Sequence, residues 1–156
     1  MSEPDIRIMG VDHIALTVRD VPSAIHFYRD LVGLEVAADY ELDHDNNRPA
    51  GLFCAAHARR HLVTFNTHGG PALALNAHPG DDLPGEPLKL DSAGINHVAF
   101  LVNDLAALTA RMEAAGVKSP GPGWFLDPDG NLVQFEEPGH SAAAMARHAA
   151  NAKTAT

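Results

Sequence analysis

Two tandem β-α-β-β-β modules, an α+β fold, are predicted by three features of the sequence. One stretch is written twice, Val-Asp-His-Ile-Ala-Leu-Thr-Val at 11–18 and Ile-Asn-His-Val-Ala-Phe-Leu-Val at 95–102. Each copy leads into an aspartate, a helical pattern and a glycine: Asp20 and Gly33 in the first half, Asp104 and Gly116 in the second. The segment Asn131 to Glu137 echoes His61 to Thr67 near the end of each half.

Read with the period of two that a strand imposes, Ile14, Leu16 and Val18 share one face of the first copy, and His13, Ala15 and Thr17 the other. In the second copy Val98, Phe100 and Val102 pack inward, and His97, Ala99 and Leu101 line a more open surface. After the first strand, Val21 to Leu31 reads as a helix, with Pro22 suited to its first turn and Ile25, Tyr28 and Leu31 on one face; Gly33 can supply a left-handed cap. Leu34 to Tyr40 is the next strand and Leu42 to Pro49 an exposed loop. Leu52 to Ala56 and His61 to Thr67 read as a hairpin joined through Arg59 and Arg60. Module one therefore spans 10–68. Residues 69–92, rich in Gly, Pro and Asp, form a linker with a short apolar segment at Ala72 to Leu75. In module two, 93–138, Leu105 to Ala115 is the helix, Val117 begins a strand, and Asn131 to Glu137 closes the unit. The remaining 139–156 is a surface helix or tail, Ala-rich from Ser141 to Ala152.

Composition narrows the function. At 156 residues, 46% hydrophobic and 20% charged, the chain is an ordinary globular protein and is read as a single domain, 1–156. A net charge of −9 with scattered Lys and Arg disfavours nucleic acid as a partner. No apolar run is long enough to span a membrane. Cys54 is the single cysteine, read as a buried small hydrophobe, and with no export-like N-terminus a cytoplasmic location is expected. Histidines at the same position of both repeats, flanked by small or apolar residues, point to two metal ligands, His13 and His97.

The duplicated pattern, with histidine in both leading strands and Asp127-Pro128-Asp129-Gly130-Asn131 before the last strand, resembles the vicinal oxygen chelate superfamily of glyoxalases, extradiol dioxygenases, fosfomycin-modifying enzymes and bleomycin-binding proteins. The resemblance covers Gly10 to Pro138. It implies an open, curved mixed sheet around a metal and ligand cleft, a small-molecule substrate and a homodimer. It also implies a divalent metal, iron for a dioxygenase, with manganese, nickel or zinc as alternatives.

His13 and His97 match the leading-strand ligands. Where relatives usually carry Glu, the fourth position after the turn glycine is Gln134, which keeps an oxygen donor but loses a charge. Glu136, two residues on, is an alternative ligand or a partner to the ligands. Thr64 is read as the first-half counterpart of Gln134, which excludes a carboxylate ligand from each half. Arg60-His61-Leu62-Val63-Thr64-Phe65 looks like a segment of the ring-cleaving dioxygenases, which makes His61 the candidate catalytic acid-base group. The second histidine and the tyrosine that those enzymes place before the final turn are not matched. Trp124 and Phe125 are read as cleft wall or core. The expected function is a metalloenzyme of extradiol dioxygenase type. A glyoxalase-like lyase or isomerase, and a non-catalytic binding protein of resistance type, stay open.

Overall fold

The computed structural model describes residues 7–43 and 52–140, and the chain divides into two compact units, Met1–Pro84 and Gly85–Thr156. The first unit runs β1 (His13–Thr17), α1 (Val21–Ile25) continued by a wider turn over His26–Leu31, β2 (Glu35–Asp43), β3 (Arg59–Asn66) and β4 (Ala72–Ala77). Its sheet order is β1-β4-β3-β2, with β1 parallel to β4 and the other pairs antiparallel. The second unit runs β5 (His97–Leu101), α2 (Leu105–Ala114), β6 (Trp124–Leu126) and β7 (Leu132–Glu136), in the order β5-β7-β6 with β5 parallel to β7. Two mixed sheets with few helices give the α+β class that the repeat predicts.

Strand membership differs from the sequence reading in three places. The third sheet partner of module one is β4, which lies inside the predicted 69–92 linker; Ala-Leu-Ala-Leu-Asn-Ala alternates with Leu73 and Leu75 buried. Leu52 to Ala56 forms no strand, because β3 already has β2 on one edge and β4 on the other. Phe53 instead sets its ring edge-on to those of His57 and His78. In module two the strand expected from Val117 is absent, since Pro120 and Pro122 carry no N–H for a ladder and Gly121 and Gly123 weaken an extended run. The part of the Leu42 to Pro49 loop beyond Asp43, and the Ala-rich segment from Ser141, lie outside the described residues.

The cores follow the alternation. In the first unit Val63, Phe65, Leu73 and Leu75 are buried on one sheet face, where Phe65 meets Tyr28 with ring centroids 6.0 Å apart. Burial of Phe27 and Tyr28 is helped by the wider turn, in which the Val32 N–H donates to the Phe27 carbonyl at 2.9 Å, five residues back. In the second unit Phe125, Val133 and Phe135 are buried, and Phe135 stacks on Phe100 at 5.7 Å. Phe125 is thus core, while Trp124, its neighbour on the strand, faces the opposite way and is half-buried. Cys54 is exposed, not buried.

The two helix starts use their matched aspartates differently. Asp104 accepts from the Ala107 N–H at 2.8 Å and caps α2, whereas Asp20 accepts from the Ser23 hydroxyl at 2.6 Å and makes no side-chain cap to the backbone. Gly33 and Gly116 adopt the predicted positive φ, 94° and 71°. Gly123 has a stricter requirement: at φ 74° a Cβ would lie 2.8 Å from the Phe135 carbonyl oxygen, so glycine lets the chain pass close to β7.

The turn into β7 is built on Asp127, 4% exposed. One carboxylate oxygen accepts from the Asp129 and Asn131 N–H groups at 3.0 and 2.8 Å, and the other from Asn131 Nδ2 at 2.9 Å. Asp127→Ala removes an acceptor from three donors, and a loss of about 2–3 kcal/mol in urea unfolding is the expected outcome. Asp127→Asn, which keeps one acceptor oxygen, should lose less.

Candidate functional site

Each unit presents one sheet face away from its core, and the ladder registers say which side chains share it. In the second unit His97 lies opposite Leu132, Ala99 opposite Gln134 and Leu101 opposite Glu136, while Trp124 faces Gln134 from the other side. His97, Gln134, Glu136 and Trp124 therefore stand on one face, with Val133 and Phe135 pointing the other way. The Trp124 ring meets the His97 ring at 5.1 Å in an edge-to-face contact. In the first unit His13 lies opposite Ala72, Ala15 opposite Ala74 and Thr17 opposite Asn76.

Both leading histidines are oriented by the residue before them. The His13 Nδ1 lies 2.7 Å from the Asp12 carboxylate, and the His97 Nδ1 lies 2.7 Å from the Asn96 side-chain oxygen. Those oxygens accept, so in its neutral form each ring is favoured with its proton on Nδ1, which leaves Nε2 as a lone-pair donor. This is how metal-binding histidines are commonly held. Gln134 is oriented too: its Nε2 donates to Glu136 Oε1 at 2.7 Å, and among the described residues its amide oxygen accepts no hydrogen bond. Imidazole nitrogen and amide oxygen are donor types that suit a divalent ion of the manganese-to-zinc series. Glu136 acts here as the acceptor that fixes Gln134. Among the described residues no group of three or more His, Cys, Asp or Glu is arranged to hold a metal.

The topology changes which first-unit residue corresponds to Gln134. Since β7 pairs in parallel with β5 as β4 does with β1, Gln134 opposite Ala99 corresponds to Ala74 opposite Ala15, and Thr64 corresponds to Trp124. Ala74 offers no donor, so the first unit's closing strand supplies no ligand at that place.

His61 is not brought to the face of His13. It lies opposite Ala77 and Glu41, three residues before Thr64, and an odd spacing on a strand means opposite faces. Its ring is held between Asp39, 2.6 Å from Nε2, and Glu41, 3.6 Å from Nδ1. Thr64, Leu62 and Arg60 occupy the side toward His13, and Arg60 donates through Nε and Nη2 to the Asn76 side-chain oxygen. The local likeness to ring-cleaving enzymes therefore does not carry their acid-base group to the open face.

Sequence reasoning missed Asp12 and Asn96, although both precede the histidine in the repeat. It also missed a buried pair, His57 and His78, whose rings stack at 3.8 Å with His57 bonded to Asp81 at 2.8 Å. The clearest electrostatic perturbation is on the first helical segment: Arg29, then His26, hold the exposed Asp30 carboxyl well below the usual carboxylate range, and Asp30 in turn raises Arg29. Both groups are exposed, so solvent screens the pair.

A leading histidine in each unit, parallel-paired to a closing strand on an open sheet face, defines the class. The chain belongs to the Glyoxalase/Bleomycin resistance protein/Dioxygenase superfamily, whose family model matches residues 10–135. Among individual proteins, it is 29% identical over 145 residues to an ethylmalonyl-CoA/methylmalonyl-CoA epimerase from Cereibacter sphaeroides, covering 81% of this chain and 96% of the epimerase. Its fold is similar to that of a glyoxalase family protein from Bacillus cereus, with a TM-score of 0.71 at 17% identity over 87% of this chain and 98% of that one. Glyoxalase I from Leishmania major gives 0.57 at 22% identity, over 91% and 94% of the two chains. A fosfomycin resistance protein from Mesorhizobium loti gives 0.58 at 17% identity, over 89% and 99%. These structural likenesses speak for the fold alone.

The orientation of the two histidines is open to direct measurement. Long-range ¹H–¹⁵N spectra at a pH where the rings are neutral should find His13 and His97 protonated on Nδ1. Asp12→Ala and Asn96→Ala should each release its own ring to mixed tautomers; rings protonated on Nε2 in the unmutated protein would contradict the assignment.

Proposed function

We propose that this chain is a metal-dependent isomerase of the acyl-CoA epimerase type, with His13, His97 and Gln134 as the ligands of a divalent ion. The observation that carries the reaction type is the similarity to the epimerase along 96% of that enzyme's length. The matched histidines, each with Nε2 left as donor, support the metal.

Epimerisation next to a thioester carbonyl requires removal of the α-proton and its return from the opposite side. A bound divalent ion would supply Lewis acidity, polarising the carbonyl oxygen so that the α-proton becomes more acidic. The chain's own residues have three tasks. His13 and His97 present Nε2, with Asp12 and Asn96 fixing the rings. Gln134 presents its amide oxygen with Glu136 fixing its NH₂. Glu136, the carboxylate on the open face of β7, is the candidate base that takes the α-proton from one side, and solvent would return a proton on the other. Gln134 in the position where relatives usually have Glu removes one negative charge from the ligand set, so an anionic acyl group meets less repulsion there than beside a carboxylate.

Metal-loaded protein incubated in D₂O with one epimer of methylmalonyl-CoA is expected to scramble the centre and incorporate deuterium at it. His13→Ala and His97→Ala should lose both metal and exchange, and Glu136→Gln should slow exchange by about 10²- to 10⁴-fold. Loaded protein that binds the thioester without exchanging its proton would overturn the epimerase reading in favour of a binding protein of the resistance type.

The amide ligand has its own test. Gln134→Glu should tighten manganese or zinc binding in calorimetric titration, since the ion gains an anionic partner at the same reach. An unchanged affinity would place Gln134 outside the coordination sphere.

A further inference from the structure

We propose that Arg60, anchored by Asn76, forms an anion-binding subsite on the open face of the first sheet. It would take a carboxylate or phosphate at the far end of a ligand whose reacting end lies at His13. The placement of that reacting end rests on the function proposed above.

Three observations carry the subsite. The first is the charge balance of Arg60. Arg29 pairs with Asp30 and Arg59 with Glu41, but among the described residues Arg60 bonds only to a neutral amide oxygen. A guanidinium has five N–H donors, and with two on Asn76 Oδ1, three are left. Asn76 Nδ2 has no acceptor among the described residues, so the pair offers converging donors around a net positive charge.

The second observation is the segregation of carboxylates. The protein carries a net charge of −9, yet β2 places Asp39, Glu41 and Asp43 opposite Val63, His61 and Arg59, on the side away from Arg60. To the side of Arg60 it gives Ala38, Tyr40 and Leu42. Its other carboxylate, Glu35, lies at the far end of the strand opposite Asn66. From Ala15 across to Leu42 strands β1 to β4 put no carboxylate on this face among the described residues.

The third is the floor between the two ends. The registers align Ala15, Ala74, Thr64 and Ala38 in one row across four strands, and Thr17, Asn76, Leu62 and Tyr40 in the row two residues on. The first row is built of small side chains. Thr17 lies four residues beyond His13, about 13 Å along the strand. A ligand with an anionic group roughly that far from its reacting atoms spans from His13 to the Arg60–Asn76 pair.

The test is an NMR titration of the metal-free protein with inorganic pyrophosphate and, separately, with glutarate, following the Arg60 Nε–H and the Asn76 side-chain amide. Saturable shifts at both groups are expected with at least one anion; response to pyrophosphate alone assigns a phosphate, to glutarate a carboxylate. Arg60→Met should weaken binding by about 10-fold or more, as loss of charge-assisted bonds implies. Asn76→Asp, which keeps the guanidinium but neutralises it, should weaken it similarly, and unchanged backbone spectra would establish that both variants fold. Shifts with neither anion, or equal binding in both variants, would overturn the subsite. Failure of the epimerase reaction leaves this titration intact, so the two readings fail separately.

Discussion

Parallel pairing of the leading strand with the last strand of the same unit is the constraint on which both sheets depend. A parallel pair cannot be closed by a tight turn, so a helix and one or two further strands must intervene between β1 and β4 and between β5 and β7. The pairing also puts the leading histidine's face in register with alternate residues of the closing strand. Ala74 stands beside Ala15 and Gln134 beside Ala99 for this reason, and the asymmetry of the potential ligand set reduces to one substitution between equivalent ladder positions.

Period-two alternation then divides function from packing. On β7, Val133 and Phe135 fill the core while Gln134 and Glu136 share the open face close enough to bond at 2.7 Å. On β3 the same rule sends His61 toward Asp39 and Glu41 and Arg60 toward Asn76. A one-residue slip in β3 would exchange the two, placing His61 on the face of His13 and an arginine among carboxylates. Pairing of β3 with strands on both edges, and burial of Val63 and Phe65, oppose that slip.

The leading strands, both helices, the glycine caps and the Asp127 turn were legible because each is specified locally: by alternation, by apolar spacing, or by a backbone angle that glycine satisfies. Strand β4 was hidden by its surroundings, since Gly69, Gly70, Pro71, Pro79 and Gly80 make 69–80 read as linker although Ala72 to Ala77 alternates within it. Taking the likeness of His61-Leu-Val-Thr-Phe to Asn131-Leu-Val-Gln-Phe as strand equivalence led to Thr64 in place of Ala74. Pairing decides equivalence, and pairing is a long-range property that spelling does not carry. The opposite faces of His61 and Thr64, by contrast, were available from their odd spacing alone. For Phe125 the same alternation against Trp124 was decisive.

Electrostatics links the open faces to the kind of ligand they favour. In the proposed metal site two imidazoles and an amide would leave the charge of a divalent ion unbalanced by the protein, whereas a carboxylate in place of Gln134 would offset part of it. An anionic ligand then supplies the missing charge itself. In the first unit the carboxylates of β2 nearest Arg60 are turned to the opposite face, where Glu41 engages Arg59 and Asp39 engages His61, so the acidity of the chain does not cancel the local field of Arg60. With a screening length of about 8 Å at physiological salt, it is this local arrangement rather than the net charge of the chain that a bound anion experiences. A protein of net negative charge can thus still offer an anion a favourable surface, provided that alternate residues of one strand divide the charges between two faces.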